Sequence, residues 1–258
     1  MTHFDIWNSY MMSYDFLNQI DSYAKNLCDV ADAVRVRPGE RVLDAGSGTG
    51  NLSTLLKRRG VEVVSCDFSP VALAKHRAKD RDAIQVEASL ENPLPFDDAE
   101  FDAVCCASVL FALTQSGCQL AVREFNRVLK PGGRVVVTVP APNQRNKNLI
   151  GMHFQGLKRK HGRLMGWSRG IVDLPCLLKI LYYGRALGRL PDWQGWHRFT
   201  ADEICKLLSD AKFDGMMLKT TYGACFLLLA ATKASTPVWQ RAMTSVAASY
   251  SAETVILP

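Results

Sequence analysis

The 258-residue chain has no long apolar run: its longest uninterrupted apolar stretch is Ala224 to Ala231, eight residues. A membrane-spanning helix needs ~20, so no such span is expected. The opening MTHFDIWNSY has no basic start and no apolar core, and Asp5 interrupts it. No secretory signal is read there, and a cytoplasmic location is the default expectation. No C-x-x-C pair exists among the eight cysteines, which leaves a zinc site unsupported. Cys66, Cys105, Cys106 and Cys225 fall in apolar runs that read as strands, and Cys28, Cys118 and Cys205 in helical patterns. They read as reduced thiols acting as small core residues. Internal repeats and low-complexity tracts are also missing. At 48% hydrophobic and 22% charged residues, the composition excludes a disordered chain and a fibre.

Acidic residues are scarce in one segment. Residues 141–198 hold eleven Lys and Arg against Asp173 and Asp192, a net of +9, which leaves the other 200 residues at −3. A basic segment on a mildly acidic body points to an anionic substrate or surface near it.

Apolar residues at helical spacing predict a helix over 14–34, beginning YDFLNQI. Pro38-Gly39 breaks the chain. A strand over 41–45 runs into glycines; a helix over 51–59 stops at Gly60; a strand over 61–66 ends at Asp67. A helix over 70–79 opens on Pro70. Strands follow over 83–88 and 101–108, then a helix over 119–129 stopped by Pro131-Gly132-Gly133, then a strand over 134–139. Thr200 and Glu203 form a capping-box pattern for a helix to about Ala211. Two more strands, 216–221 and 224–231, are joined at Tyr222-Gly223, and a short helix is expected around 239–245. Strands alternating with helices predict an α/β fold: an open, mostly parallel sheet covered on both faces.

The segment Asp44-Ala45-Gly46-Ser47-Gly48-Thr49-Gly50 follows a strand and opens a helix. Glycines there allow a tight turn and close approach of a ligand. A dinucleotide fingerprint would place a third glycine where Asn51 stands. Asp44 would repel a pyrophosphate and suits a cationic ligand.

VLDAGSGTGNLSTLL resembles the first motif of class I S-adenosylmethionine-dependent methyltransferases of the small-molecule type. The likeness continues in order through VEVVSCDFSP, VEASLENPLPFDDAEFDAV, REFNRVLKPGGRVVVTVP and FTADEICKLLSDAKF, covering roughly 38–140 and 199–232. It implies a Rossmann-like seven-stranded sheet of order 3-2-1-4-5-7-6 and S-adenosyl-L-methionine as cofactor. By resemblance, Asp67 accepts the ribose hydroxyls and Phe68 packs on adenine. Gly46, Gly48 and the Ala45 backbone line the methionine portion, with Asp44 beneath its amino end. Ser89 or the Leu90 backbone reads adenine, since Ser89 stands where the family usually has Asp. Cys106, Ala107 and Ser108 lie beside the sulfonium, and Tyr10 and Tyr14 belong to a lid.

The implied organisation is a single domain over 1–258: a helical lid segment at 1–37, a cofactor-binding core at 38–140, a basic helical cap at 141–198, a terminal helix and hairpin at 199–232, and a tail at 233–258. The implied reaction moves a methyl group to oxygen or nitrogen of a small-molecule acceptor, anionic or carrier-bound. Methyl transfer is an in-line displacement governed by alignment, so no invariant base motif is required. His197 is the candidate general base or acceptor ligand; His3 and His153 are the other histidines weighed. The cap reads as a substrate lid or as a docking patch for an acidic carrier protein or a membrane surface. Nucleic acid is not the expected partner, because no nucleic-acid module accompanies the charge. Two other functions stay open: a methyltransferase-fold protein with a non-methylating activity, and a nicotinamide-dependent oxidoreductase.

Overall fold

A computed structural model describes residues 3–142, 148–187, 197–221 and 225–234. Its centre is a seven-stranded sheet, β1 (Arg41–Ala45), β2 (Glu62–Asp67), β3 (Ile84–Glu87), β4 (Phe101–Ala107), β5 (Leu129–Pro140), β6 (Phe213–Thr221) and β7 (Phe226–Lys233). Their spatial order is β3-β2-β1-β4-β5-β7-β6, the order expected. The first five pair in parallel; β7 runs antiparallel to both β5 and β6.

Alternation along each strand divides the core. Val104, Cys106, Val135 and Val137 face α5 (Gln115–Val128) and α8 (Ala201–Asp210), where Phe125, Ile204 and Leu208 are buried. Val42, Ala103, Cys105 and Val136 face the other way, toward Ile20, Val30, Leu56 and Leu177. Strands covered on both faces have no room for polar alternation, which is why they read as continuous apolar runs. The edge strand β3 is the exception, half-exposed along its length.

Several expectations are corrected. The single helix expected over 14–34 is two pieces, a 3-10 turn (Asp15–Gln19) and α2 (Asp21–Ala33), and a separate helix α1 (His3–Tyr14) precedes them. Ile20 takes an extended backbone and is fully buried, so anchoring it in the core bends the chain there. After α3 (Asn51–Lys57) and α4 (Pro70–Lys79), the helix expected over 119–129, α5, starts earlier, at Gln115, because Thr114 caps it by accepting the Gly117 amide at 3.0 Å. It ends at Val128, before Pro131. Pro131-Gly132-Gly133 instead sits inside β5, where the pairing slips between Phe101↔Leu129 and Ala103↔Arg134. Proline lacks an amide for the ladder and Gly132 has φ +75°, so a strand irregularity accommodates both. Cys28 and Cys176 are exposed and are not core residues, whereas Cys66, Cys105, Cys106 and Cys118 are buried. The Tyr222-Gly223 connection and the helix around 239–245 lie outside the described residues.

The basic cap consists of α6 (Asn148–His161) and α7 (Arg163–Leu187). Their close approach needs glycine: a Cβ on Gly166 would lie 2.7 Å from the Lys158 backbone, and one on Gly170 2.4 Å from the Phe154 ring. Buried His153 bonds Asp173 at 2.9 Å across the pair, so it serves packing. Thr200 and Glu203 form the expected capping box on α8.

Candidate active site

The carboxyl ends of β1, β2, β3 and β4 converge on a cavity of about 400 Å³. Open α/β sheets bind ligands at this edge, where strand ends stop and helix starts leave amides unpaired.

The glycine loop lines one side, and its three glycines answer different constraints. A Cβ on Gly46 would meet Val109 at 2.4 Å, and one on Gly50 would meet the His76 ring at 2.1 Å. At Gly48, with φ +53°, a Cβ would meet no atom of the described residues within 4 Å. Its open space is cavity, so here the absent side chain leaves room for a ligand. The amides of Gly46 and Ser47 both donate to the Cys66 carbonyl, at 2.7 and 2.9 Å, which ties the loop to β2.

Asp67 ends β2 with its carboxylate on the cavity wall. It accepts the Gly48 amide at 2.7 Å and the Ser69 amide at 2.9 Å. Burial raises its pKa, and these amide bonds work against that rise. Asp44, also buried, accepts the Ser53 hydroxyl. Burial, with Asp67 nearby, pushes the Asp44 carboxyl up to about 7. Two carboxyls thus face one cavity, and a cationic ligand would return Asp44 to its charged form.

The N-terminal segment closes the second wall with a ladder of edge-to-face rings. Trp7 meets Phe68 at 6.1 Å and Tyr10 at 5.7 Å; Tyr10 meets Tyr14 at 5.5 Å, and Tyr14 meets Tyr23 at 6.0 Å. Burial pushes the Tyr10 and Tyr14 hydroxyls far up, so both stay protonated at neutral pH. Lys79 pins the segment by bonding Asp15 and, at 2.8 Å, the Thr49 carbonyl of the glycine loop. Lys75 donates to the Met11 and Met12 carbonyls at the end of α1. The third wall is apolar: Leu17, Leu27, Phe111, Ile180, Leu181 and Phe226, with Arg198 beside them.

Of the residues singled out from sequence, Tyr10, Tyr14, Asp44, Gly46, Gly48, Asp67, Phe68, Ser89, Leu90 and Ala107 line this cavity. Ala45 is not among the lining residues: its side chain is fully buried in the core, which leaves only its backbone on the cavity side. Cys106 likewise turns into the core, because alternate residues of β4 face opposite sides, whereas Ser108 lines the cavity. His197 is outside the lining. Its side chain is half exposed, packs edge-on to Phe199 at 4.3 Å and lies 3.8 Å from Glu203. Its amide donates to the Phe111 carbonyl at 3.1 Å, so its backbone, and not its ring, supports the site.

Sequence reasoning missed Trp7, Tyr23, Val109, Phe111, Ile180 and Phe226. Distance along the chain hides most of them. Their one common signal is aromatic or branched character at element ends, which equally marks ordinary core.

Residues 43–137 match a family described as a methyltransferase domain. Demethylmenaquinone methyltransferase of Beutenbergia cavernae is 46% identical over 109 residues, 41% of this chain and 43% of that protein. The ubiquinone/menaquinone biosynthesis C-methyltransferase of Idiomarina loihiensis is 37% identical over 145 residues, 52% of this chain and 57% of that protein. The chain spans roughly half the length of these curated relatives. Among solved structures, a Thermotoga maritima S-adenosylmethionine-dependent methyltransferase shares the fold. It has a TM-score of 0.58 at 17% identity, over 90% of this chain and 100% of that one. Human N-acetylserotonin methyltransferase, in complex with S-adenosylmethionine, aligns with a TM-score of 0.52 at 20% identity, over 81% of this chain and 52% of that one.

Proposed function

The chain carries a class I S-adenosylmethionine-dependent methyltransferase domain, and from that premise we propose that it methylates an apolar aromatic small molecule of the quinol type, at a ring carbon. The observation that carries this reading is the apolar wall facing the two carboxyls. Leu17, Leu27, Phe111, Ile180 and Phe226 suit a flat hydrocarbon ring and leave little for a strongly hydrated acceptor. The relatives named for demethylmenaquinone and for C-methylation support the acceptor class. In this reading the acceptor atom is carbon, where the sequence led to an expectation of oxygen or nitrogen.

The residues present fit the cofactor on three counts. Gly48 leaves open space at the loop, Asp67 offers a buried carboxylate, and Asp44 is a carboxyl waiting for a cation. In this reading Asp67 takes the ribose hydroxyls and Asp44 the ammonium end. Phe68 packs against adenine, with Ser89 and Leu90 at its edge, and Gly46, Gly48 and Ala107 flank the remainder. When bound, S-adenosylmethionine supplies an electrophilic methyl group on a sulfonium centre.

The chain's own contribution is alignment and dryness. The aromatic ladder and the α7 roof exclude water from the acceptor. Tyr14, held protonated and accepting the Tyr23 hydroxyl at 3.3 Å, does not take a proton. Arg198 at the rim would favour a phenolic oxygen that has released its proton to bulk water, which makes the neighbouring ring carbon nucleophilic; the ring proton that the methyl group replaces would leave by the same rim. His197, off the cavity wall, has no catalytic part in this scheme.

The test is turnover with S-adenosylmethionine and a short-tailed demethylated quinol, read as S-adenosylhomocysteine released and as the methyl position by NMR. A ring-methylated product is expected. N- or O-methyl products from amine or hydroxyl acceptors, with no turnover of the quinol, would overturn the acceptor assignment. Binding of a nicotinamide dinucleotide in place of S-adenosylhomocysteine would overturn the whole reading.

A further inference from the structure

Helix α7 is apolar on both sides. Its inner side carries Gly166, Gly170, Leu177 and Ile180, all buried against the rest of the protein. On its outer side Leu164, Ile171, Pro175, Leu178 and Tyr182 recur at spacings of three, four and seven residues, which places them along one side. Val172 adjoins that stripe. Leu164 is 91% exposed, Val172 75% and Tyr182 67%. A helix apolar all round is ordinarily enclosed. Here the described residues enclose one side only, and the contiguous apolar stripe on the other needs a partner.

The flanking charge says which partner. Within 148–187 seven basic residues stand against one acid, Asp173. That acid is engaged with buried His153 at 2.9 Å and does not offset the surface charge. Arg159 pairs with Asp21 of α2 at 2.9 Å; Lys158, Lys160, Arg163, Arg169, Lys179 and Arg185 supply the cationic field around the stripe. Half-exposed Trp167 lies between, with the Lys158 ammonium 4.4 Å from its ring centroid. Apolar stripe, basic flanks and interfacial Trp and Tyr are the composition of a helix that lies in a bilayer surface. A second copy of this chain would bring a second set of like charges onto the first.

We propose that the outer side of α7, with the basic end of α6, docks this protein on an anionic lipid bilayer. The helix lies in the headgroup region and does not cross; among the described residues no helix is long and apolar enough to do so. Because Ile180, Leu181 and Gly184 of the same helix line the cavity, docking places the membrane surface against the roof of the site. The proposal is about binding and does not depend on which acceptor is methylated.

The experiment is co-sedimentation of the full chain with vesicles of phosphatidylcholine alone and of phosphatidylcholine with phosphatidylglycerol. Binding is expected to the anionic vesicles, weakened by salt. Each basic side chain near such a surface is worth roughly a fivefold change in partitioning. The triple variant Arg163→Glu, Arg169→Glu, Lys179→Glu removes three such charges and adds three repelling ones, so it should lose at least roughly a hundredfold. The apolar variant Leu164→Asp, Ile171→Asp, Leu178→Asp should lose at least about tenfold. These side chains are exposed, so both variants should keep the wild-type circular dichroism and thermal midpoint. Three results would overturn the proposal. One is equal affinity of wild type and variants for anionic vesicles. Another is a dimer in analytical ultracentrifugation that the apolar variant dissociates, which would make a second copy the occupant. The third is a fall in thermal midpoint without any vesicle binding, which would mean that the stripe is covered within the protein.

Discussion

At Asp67 one carboxylate has two duties. It holds the Gly48 and Ser69 amides, at 2.7 and 2.9 Å, and so shapes the loop before any ligand arrives. In the proposed complex it also accepts the ribose hydroxyls. Asp67→Ala should therefore weaken S-adenosylhomocysteine binding by more than one hydrogen bond, each charge-assisted bond being worth roughly 1.5–3 kcal/mol. Isothermal titration should read a loss of at least about tenfold; an unchanged affinity would remove Asp67 from the site. Asp44 supplies a pH test. Burial lifts its carboxyl from 3.8 to about 7, so the free protein binds a proton there below neutrality. A ligand ammonium favours the ionised form, so affinity should be full above about pH 7 and fall as pH drops below it. The sign for stability is the reverse. The folded state holds the extra proton between about pH 4 and 7, so this group's contribution to stability declines as pH rises through that window. Asp44→Asn should accordingly flatten the pH dependence of titration, weaken binding at pH 8 and raise the thermal midpoint of the free protein at pH 8.

Among elements, α6 and α7 meet through glycines at positions 166 and 170, one helical turn apart. Backbone stands opposite Gly166, 2.7 Å from where a Cβ would lie, and backbone cannot turn aside as a flexible side chain can. Gly166→Leu should displace α7 and with it Ile180 and Leu181 on the cavity wall. The expected result is a raised KM for the acceptor with S-adenosylhomocysteine affinity changed by less than about threefold, since loop and strand ends are untouched. Equal loss of both would mean that the cap also shapes the cofactor half. The N-terminal segment is joined to the glycine loop by one side chain: Lys79 bonds both Asp15 and the Thr49 carbonyl.

For the whole molecule, the cavity joins parts far apart in the chain: the N-terminal helix, four strand ends, the cap and β7. A ligand contacting all of them should stabilise the folded state as a unit. At a hundredfold excess over Kd the gain is about 2.7 kcal/mol, and for a chain of this size about 2–4 °C per kcal/mol. A rise in thermal midpoint of roughly 5–10 °C with S-adenosylhomocysteine is therefore expected in a thermal scan. No rise under saturating ligand would mean that the site is not assembled as described.

Local sequence determined what local chemistry dictates. The strand over 41–45, the helix over 70–79, the Thr200 cap and the left-handed glycines of the loop all follow from residue type and spacing within about ten positions. Asp44, Gly48, Asp67 and Ser89 were legible as cavity residues because each sits at a strand end or in its loop, where topology leaves few places to point. Tertiary structure decided the rest. Alternation along strands sent Ala45 and Cys106 into the core although their neighbours face the cavity. Burial of Ile20 split one predicted helix in two. His197 carries the right chemistry for a base, yet the packing of Phe199 and the α8 cap turn its ring away from the cavity. The apolar wall assembles Leu17, Phe111, Ile180 and Phe226 from across some two hundred residues, and no periodicity within a segment encodes which distant segments will meet. Side-chain type sets what a residue can do; the packing of elements sets whether it stands where that can be done.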